Sequence, residues 1–303
     1  MKKVLVAAGA AFALALAGCG GQSEDTGTAG TSTAVDGVQF DQGIHDKLPQ
    51  AVRDRGAIRL VTEAGYAPME QFAADGRTII GFEPDLANAL GSVLGIKVEM
   101  THGDFTTSID EVVAGKYDGV LSSMTDTLER EKKVDFVNYF TAGTSILVQR
   151  GNPKAVSELN DLCGQVVAVE GGTVQADLLR RTQRGCDDPM TIHAYDTSAE
   201  ALLQLRTGRA AAVLSDFPPA VYLVTDQRTR SFYQLSSTIQ YEPGLFGIAF
   251  AKDDTALRDA VRDALDRLIR SGAYTELLER WGLGSGALVS SSINAGSGFT
   301  PGG

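Results

Sequence analysis

Residues 115–123 read GKYDGVLSS, and residues 208–216 read GRAAAVLSD. Both open on Gly and a basic residue, pass through Val-Leu-Ser and stop at a polar position, so that Ser123 corresponds to Asp216. Working outward, each copy closes the same run of elements. Ahead of the first lie a β-branched apolar stretch at 57–62, AIRLVT, and a helical pattern at 84–94 with Leu86, Leu90, Val93 and Leu94 on one face. A strand at 97–101 and a helical pattern at 105–114, ended by Gly115, follow before the third strand at 119–121. Ahead of the second copy lie a strand at 165–170, a helix at 173–183 after Gly171-Gly172, a strand at 190–195 and a helix at 197–207. Residues 211–214 are its third strand. Two β-α-β-α-β runs predict an α/β protein of two βαβ-type lobes with mainly parallel sheets. Open α/β sheets bind ligands beyond the carboxyl ends of their strands, which places a ligand cleft between the lobes.

The remaining sequence frames this core. The chain has 303 residues, 43% hydrophobic, enough for a core in each half. A net charge of −11 argues against a nucleic-acid partner, which requires a basic face. Lys2 and Lys3 precede an apolar run at 4–17 too short and Ala-rich for a spanning helix, the layout of a signal peptide over 1–18. The run ends in Leu16-Ala17-Gly18-Cys19, which resembles the bacterial lipoprotein box and implies lipidation of Cys19. The Gly, Ser and Thr that follow predict a flexible tether, taken here as 19–49. The protein is thus expected to be exported and lipid-anchored on the extracytoplasmic face of the membrane. In that compartment Cys163 and Cys186 form a natural disulfide pair. No second Cys pair or His lies close enough to suggest a metal, and His45, His102 and His193 are scattered. Neither metal nor cofactor is expected. Gly- and Ser-rich residues at 285–303 predict a flexible tail.

The chemistry concentrates where the first copy ends. Residues 122–136, SSMTDTLEREKKVDF, set Ser122, Ser123 and Thr125 ahead of Arg130. Hydroxyls beside a planar five-donor guanidinium suit a carboxylate. Thr173, after two Gly at a predicted helix start, offers free backbone N–H groups to an anion. Asp216 at the second strand end suits a primary ammonium.

From about residue 50 to 283 the chain resembles the family 3 extracellular solute-binding proteins, receptors of polar-amino-acid ABC importers. The resemblance rests on GYAPMEQF (65–72), GFEPDLANALGSVLGIKVE (81–99), GKYDGVLSSMTDTLEREKKVDFVNYF (115–140), DLCGQVVAVEGGT (161–173), YDTSAEALLQLRTGRAAAVLSD (195–216) and FGIAFAK (246–252), in family order. It implies a two-strand hinge, with lobe 1 at 50–142 plus 246–284 and lobe 2 at 143–245. It implies that Arg130 grips the ligand's α-carboxylate, with Ser123 and Thr125 in support. It also implies that Asp216 takes the ammonium and that Tyr66 and Phe105 sandwich the side chain. Val174 departs from the family's commoner second Thr, which puts one side-chain contact in doubt. Implied partners are a free amino acid, a membrane permease and its ATPase, for a receptor acting as a monomer.

Side-chain selectivity stays open between two readings. Glu63 and Glu170, with Glu70 nearby in sequence, favour a cation such as arginine, lysine or ornithine; Glu63 acting alone fits an amide such as glutamine. No nucleophile elbow, Ser-x-x-Lys, phosphate loop or His-Glu-x-x-His is present, so no enzyme is expected. A cyclohexadienyl- or arogenate-type dehydratase, with Glu63 or Glu170 as general acid, or a ligand sensor on the same fold, is the competing expectation.

Overall fold

The computed structural model describes residues 38–296. The expected signal peptide, Cys19 and most of the tether lie outside the described residues, as do 297–303.

One sheet dominates. Its strands run in the order Lys97–His102, Ala57–Thr62, Gly119–Val120, Tyr241–Ala251, Val134–Gln149, Ala212–Asp216, Val166–Glu170 and Thr191–Tyr195. The first three pair in parallel, as do the last three. In each triplet the chain's second strand is outermost and its first lies in the middle, so the duplication read from 115–123 and 208–216 extends to topology. The two central strands run antiparallel to each other and to their flanking neighbours. Val134–Gln149 is buried along nearly its whole length, as a strand covered on both faces must be. The lobes therefore share one sheet through two long antiparallel strands.

The ladder between these strands slips twice. Glu242 and Pro243 together stand against Gly143, and Glu242 takes a left-handed φ of 44°. Tyr139 is the extra residue at the second slip. Bulges of this kind re-aim side chains, and Tyr139 turns its hydroxyl to Glu83.

Among the described residues, four sets of packed side chains flank the sheet. One joins Phe82, Leu86, Leu90, Leu94, Phe140, Phe246, Leu265 and Leu277 with the helices Phe82–Leu94, Thr255–Ser271 and Ala273–Trp281. The other side holds Ile146, Val167, Val169, Leu179 and Leu214, with Leu147, Leu205 and Val213 on the opposite sheet face. Cys163 and Cys186 are disulfide-bonded at the edge of that second region. Helix Phe82–Leu94 starts two residues earlier than its Pro84 suggested. Its N-cap Gly81 has φ 144°, and a Cβ there would stand 2.2 Å from the Met69 carbonyl oxygen, so only Gly fits.

Two expectations are corrected. The tether does not reach residue 49: Asp41 caps a short helix, Gln42–His45, and Ile44 and Leu48, one helical turn apart, are buried in the first core. Nor is 285–296 a flexible tail. Gly286 packs on the Phe140 ring, and Ser292–Ile293 pairs with the strand Val134–Gln149. Composition misled there because the segment is held by hydrogen bonds to buried polar groups, not by apolar burial. Among the described residues no helix is long and apolar enough to cross a membrane.

Candidate functional site

A narrow pocket lies between the lobes, with about 350 Å³ of empty space when the part open to solvent is counted. All nine residues named from sequence line it: Glu63, Tyr66, Phe105, Ser123, Thr125, Arg130, Glu170, Thr173 and Asp216. Glu70, Ser122, Val174 and Gln175 complete the wall. The three strand ends at Thr62, Glu170 and Asp216 converge here, as the carboxyl-end rule requires.

Arg130 sits on a short helix, Leu128–Glu131, whose N-cap Thr127 accepts from the Arg130 N–H. Its guanidinium donates to the carbonyls of Thr125 (2.6 Å) and Gly172 (3.0 Å) and lies over the Phe105 ring at 5.4 Å. Phe105 is therefore a platform for the cation, and the helix expected from 105 begins only at Ser108. Burial lowers the Arg130 pKa to about 10, against the pull of Asp177, Asp216 and Asp126, so it keeps its charge at neutral pH.

Behind this loop two buried carboxyls hold the serines. Ser123 adopts φ 46°, and both its N–H (2.7 Å) and its hydroxyl (2.8 Å) donate to Glu83 Oε1. The Tyr139 hydroxyl donates to the same oxygen. The Ser123 hydroxyl, expected to support a ligand, is thus committed to Glu83. Ser122 accepts from the Glu63 N–H (2.9 Å) and donates to Glu70 (3.2 Å). Burial pushes Glu70 well above the usual carboxyl range, with Glu83 and Glu63 adding to it. Burial also raises Glu83, opposed by its hydrogen bonds from Glu70, Tyr139 and Ser123.

The opposite wall is acidic. Asp216 is the N-cap residue of the helix Phe217–Thr225, but its side chain makes no cap. It accepts instead from the Tyr66 hydroxyl (2.8 Å) and from Gln175 Nε2 (2.7 Å). Tyr66 also accepts from the Asp216 N–H (2.9 Å), which ties the lobes together. Burial pushes Asp216 up to about 7, although Tyr66, Gln175 and Arg130 favour its ionised form. Glu63 and Glu170 are 6% and 9% exposed. Burial carries Glu63 to about 7, with Asp104 adding to it, and Glu170 to about 8, with Glu63 and Asp216 adding. Thr173 caps the helix Val174–Thr182: its hydroxyl accepts from Ala176 N–H (3.2 Å) and donates to the Glu170 carbonyl (2.8 Å).

Sequence reasoning missed Gln175 and Glu83. Gln175 follows Gly-Gly-Thr by one residue and carries no pattern of its own. Glu83 did leave a signal: an acid between Phe82 and Pro84 at a helix start that must face the core. Taken together, the cavity presents one fixed cation, Arg130, and four buried carboxyls, Glu63, Glu70, Glu170 and Asp216.

The sequence and fold have counterparts among known proteins. The model of the bacterial extracellular solute-binding proteins, family 3, matches residues 58–284. The arginine-binding protein ArgT of Corynebacterium glutamicum is 30% identical over 256 residues, covering 83% of this chain and 82% of that protein. Among solved structures, an ancestral arginine-binding protein bound to arginine superposes with TM-score 0.69 at 33% identity, over 75% of this chain and 98% of that one. The ancestral amino acid-binding protein AncCDT-1, a precursor of cyclohexadienyl dehydratase, gives TM-score 0.69 at 32% identity, over 76% and 97%.

Proposed function

This chain belongs to the bacterial extracellular solute-binding proteins of family 3, and we propose that the ligand it captures is a cationic amino acid of the arginine type. It is an amino-acid-binding component of an ABC importer and not an enzyme. The observation that carries the ligand class is the charge layout of the cavity. Arg130 takes the α-carboxylate, and Asp216 takes the α-ammonium. That leaves Glu63 and Glu170, both buried with no hydrogen-bonded cation among the described residues. A neutral side chain would leave this pair in a low dielectric with only protons to neutralise it, whereas a guanidinium or ammonium stabilises the ionised pair. Arginine as the named ligand of ArgT and of the ancestral neighbour supports the same class.

Capture works by closure. The lobes at 50–142 plus 246–284 and at 143–245 rotate about 142–145 and 242–245. Arg130, Tyr66 and Phe105 come from one lobe, and Thr173 and Asp216 from the other. Tyr66 then carries two duties, walling the side chain and latching Asp216. Cys19 is the lipid attachment point after removal of 1–18, which holds the receptor, as a monomer, on the extracytoplasmic face beside its permease.

A thermal-shift series against the amino acids and related amines tests the ligand class. A ligand at a hundred times its dissociation constant adds about 2.7 kcal/mol of stability. Arginine, lysine or ornithine is the expected strongest hit. A lead for glutamine or glutamate rejects the cationic reading, and turnover of prephenate or arogenate would overturn the binding role. Incorporation of labelled fatty acid, lost in Cys19→Ala, tests the anchor.

A further inference from the structure

Residues 291–296, SSINAG, lie beyond the span matched by the family and outside the ligand cavity. They nonetheless reach the loop that carries Arg130. Ser292 and Ile293 pair with Asn138 and Val137 of the long crossing strand. Asn294 then clips that strand: its N–H donates to the Phe136 carbonyl (3.1 Å) and its Oδ1 accepts the Phe136 N–H (2.7 Å). Its Nδ2 donates to Asp135 (2.8 Å). Asn294 has φ 53°, a left-handed turn that Asn tolerates better than most residues. The turn delivers Gly296 to Asp126, where its N–H donates to Oδ2 at 2.9 Å. That oxygen also accepts from Asn138 Nδ2 (2.9 Å), while the buried Oδ1 has no hydrogen-bond partner among the described residues. A Cβ on Gly296 would stand 2.1 Å from the Asp126 carbonyl oxygen, so the contact admits only Gly.

Asp126 is 3% exposed, and its own N–H donates to the Leu245 carbonyl (2.8 Å). Its neighbour Thr125 bridges to Phe246 and gives its carbonyl to the Arg130 guanidinium. A continuous series of contacts thus runs from Gly296 through Asp126 and Thr125 to Arg130. We propose that the 291–296 strap is a positioning element of the ligand site, in which Asn294 and Gly296, acting through Asp126, fix the Thr125–Arg130 loop and so set the grip on a ligand carboxylate. The carboxylate part of this inference rests on the role assigned to Arg130 above.

The test uses Gly296→Val in the full chain and a second chain ended after Ser290. Gly296→Val leaves every core and cavity side chain in place, so it stands alone if the shortened chain does not fold. Without ligand, hydrogen exchange at the Asp126, Arg130 and Glu131 amides should speed up about tenfold, the scale of one hydrogen bond to a charged group. Unchanged protection of these amides overturns the proposal. With ligand, the preference for arginine over agmatine, its decarboxylated amine, should narrow about tenfold while agmatine binding stays near its original strength. Equal weakening of both ligands, the mark of a merely structural role, overturns it as well. If the unmodified protein shows no preference for arginine over agmatine, the role of Arg130 falls, and the exchange rates alone decide the strap.

Discussion

Ser123 and Asp216 hold corresponding positions in the two lobes, Asp216 at the end of its strand and Ser123 three residues past the end of Gly119–Val120, and the molecule uses them in opposite ways. Ser123 turns inward and spends both its donors on Glu83. Asp216 faces the cavity, held by Tyr66 from across the cleft and by Gln175 from its own side. The scaffold is shared; what differs is the side chain packed behind the strand end. In lobe 1 a buried Glu from the helix Phe82–Leu94 claims the terminus for the fold. In lobe 2 no such acid stands behind it among the hydrogen bonds of Asp216, and the carboxylate is left for the cleft.

If this contrast is functional, Asp216→Ala should remove binding without unfolding the protein, and Arg130→Ala should match it. Truncating one partner of a buried charge pair costs about 2–5 kcal/mol of affinity. Calorimetry with arginine reads the loss, and tight binding retained by either variant would break the assignment. The next largest effect separates the lobes by stability. Only the second carries the Cys163–Cys186 bond, so the double Ser variant should lose about 3 kcal/mol in denaturant titration. A midpoint that does not move would mean the loop it closes is already ordered when unfolded.

Glu83→Ala sharpens the contrast from the other side. Three donors lose their acceptor in the interior, for a cost of about 2 kcal/mol of folding stability. Should that variant lose affinity while keeping its denaturation midpoint, the two strand ends would be alike after all. The smallest effect is the dependence on pH. Glu63, Glu170 and Asp216 have folded pKa values raised to about 7, 8 and 7, above the unfolded carboxyl range. A raised pKa gives stability that is complete below the unfolded value and lost as pH rises through the folded one. The ligand-free protein should therefore lose stability from these groups between about pH 4.5 and 8. A cationic ligand favours the ionised forms, so its affinity should rise over the upper part of that window, at most tenfold per pH unit for each proton released. Calorimetry in buffers of different ionisation enthalpy counts those protons, and a count of zero near pH 7 would favour the amide ligand.

Much of the fold was legible because it is written twice. Alternating strand and helix periods, Gly stops and the repeated Val-Leu-Ser gave both triplets of parallel strands. Their fusion through Val134–Gln149 and Tyr241–Ala251 came only with the family resemblance, which implied a two-strand hinge, because a strand that crosses two bodies has the same apolar pattern as one that stays in a single core. At the site, Asp216 announced itself as a charge at a strand end, and Arg130 as a guanidinium following the hydroxyls of Ser122, Ser123 and Thr125. The duty of Ser123 did not, since a hydroxyl beside a cleft reads the same whether it faces in or out. The strap at 291–296 was misjudged for a related reason: small polar residues signal mobility unless buried Asp126, Asp135 and Asn138 lie within reach, and only the folded chain brings them there.

The place where Glu242 and Pro243 stand together against Gly143 has a mechanical consequence. Pro243 has no N–H to contribute, so the ladder that joins the lobes is thinnest at that one rung. Of the ladder's two slips, this is the one that falls within the proposed crossings at 142–145 and 242–245, so a bend between the lobes is easiest there and amounts to a change of one angle. In the capture proposed above, a ligand bridging the lobes draws them together and so sets that angle. A transporter that gauges only the spacing of the outer surfaces could thus tell a loaded receptor from an empty one without touching what it carries.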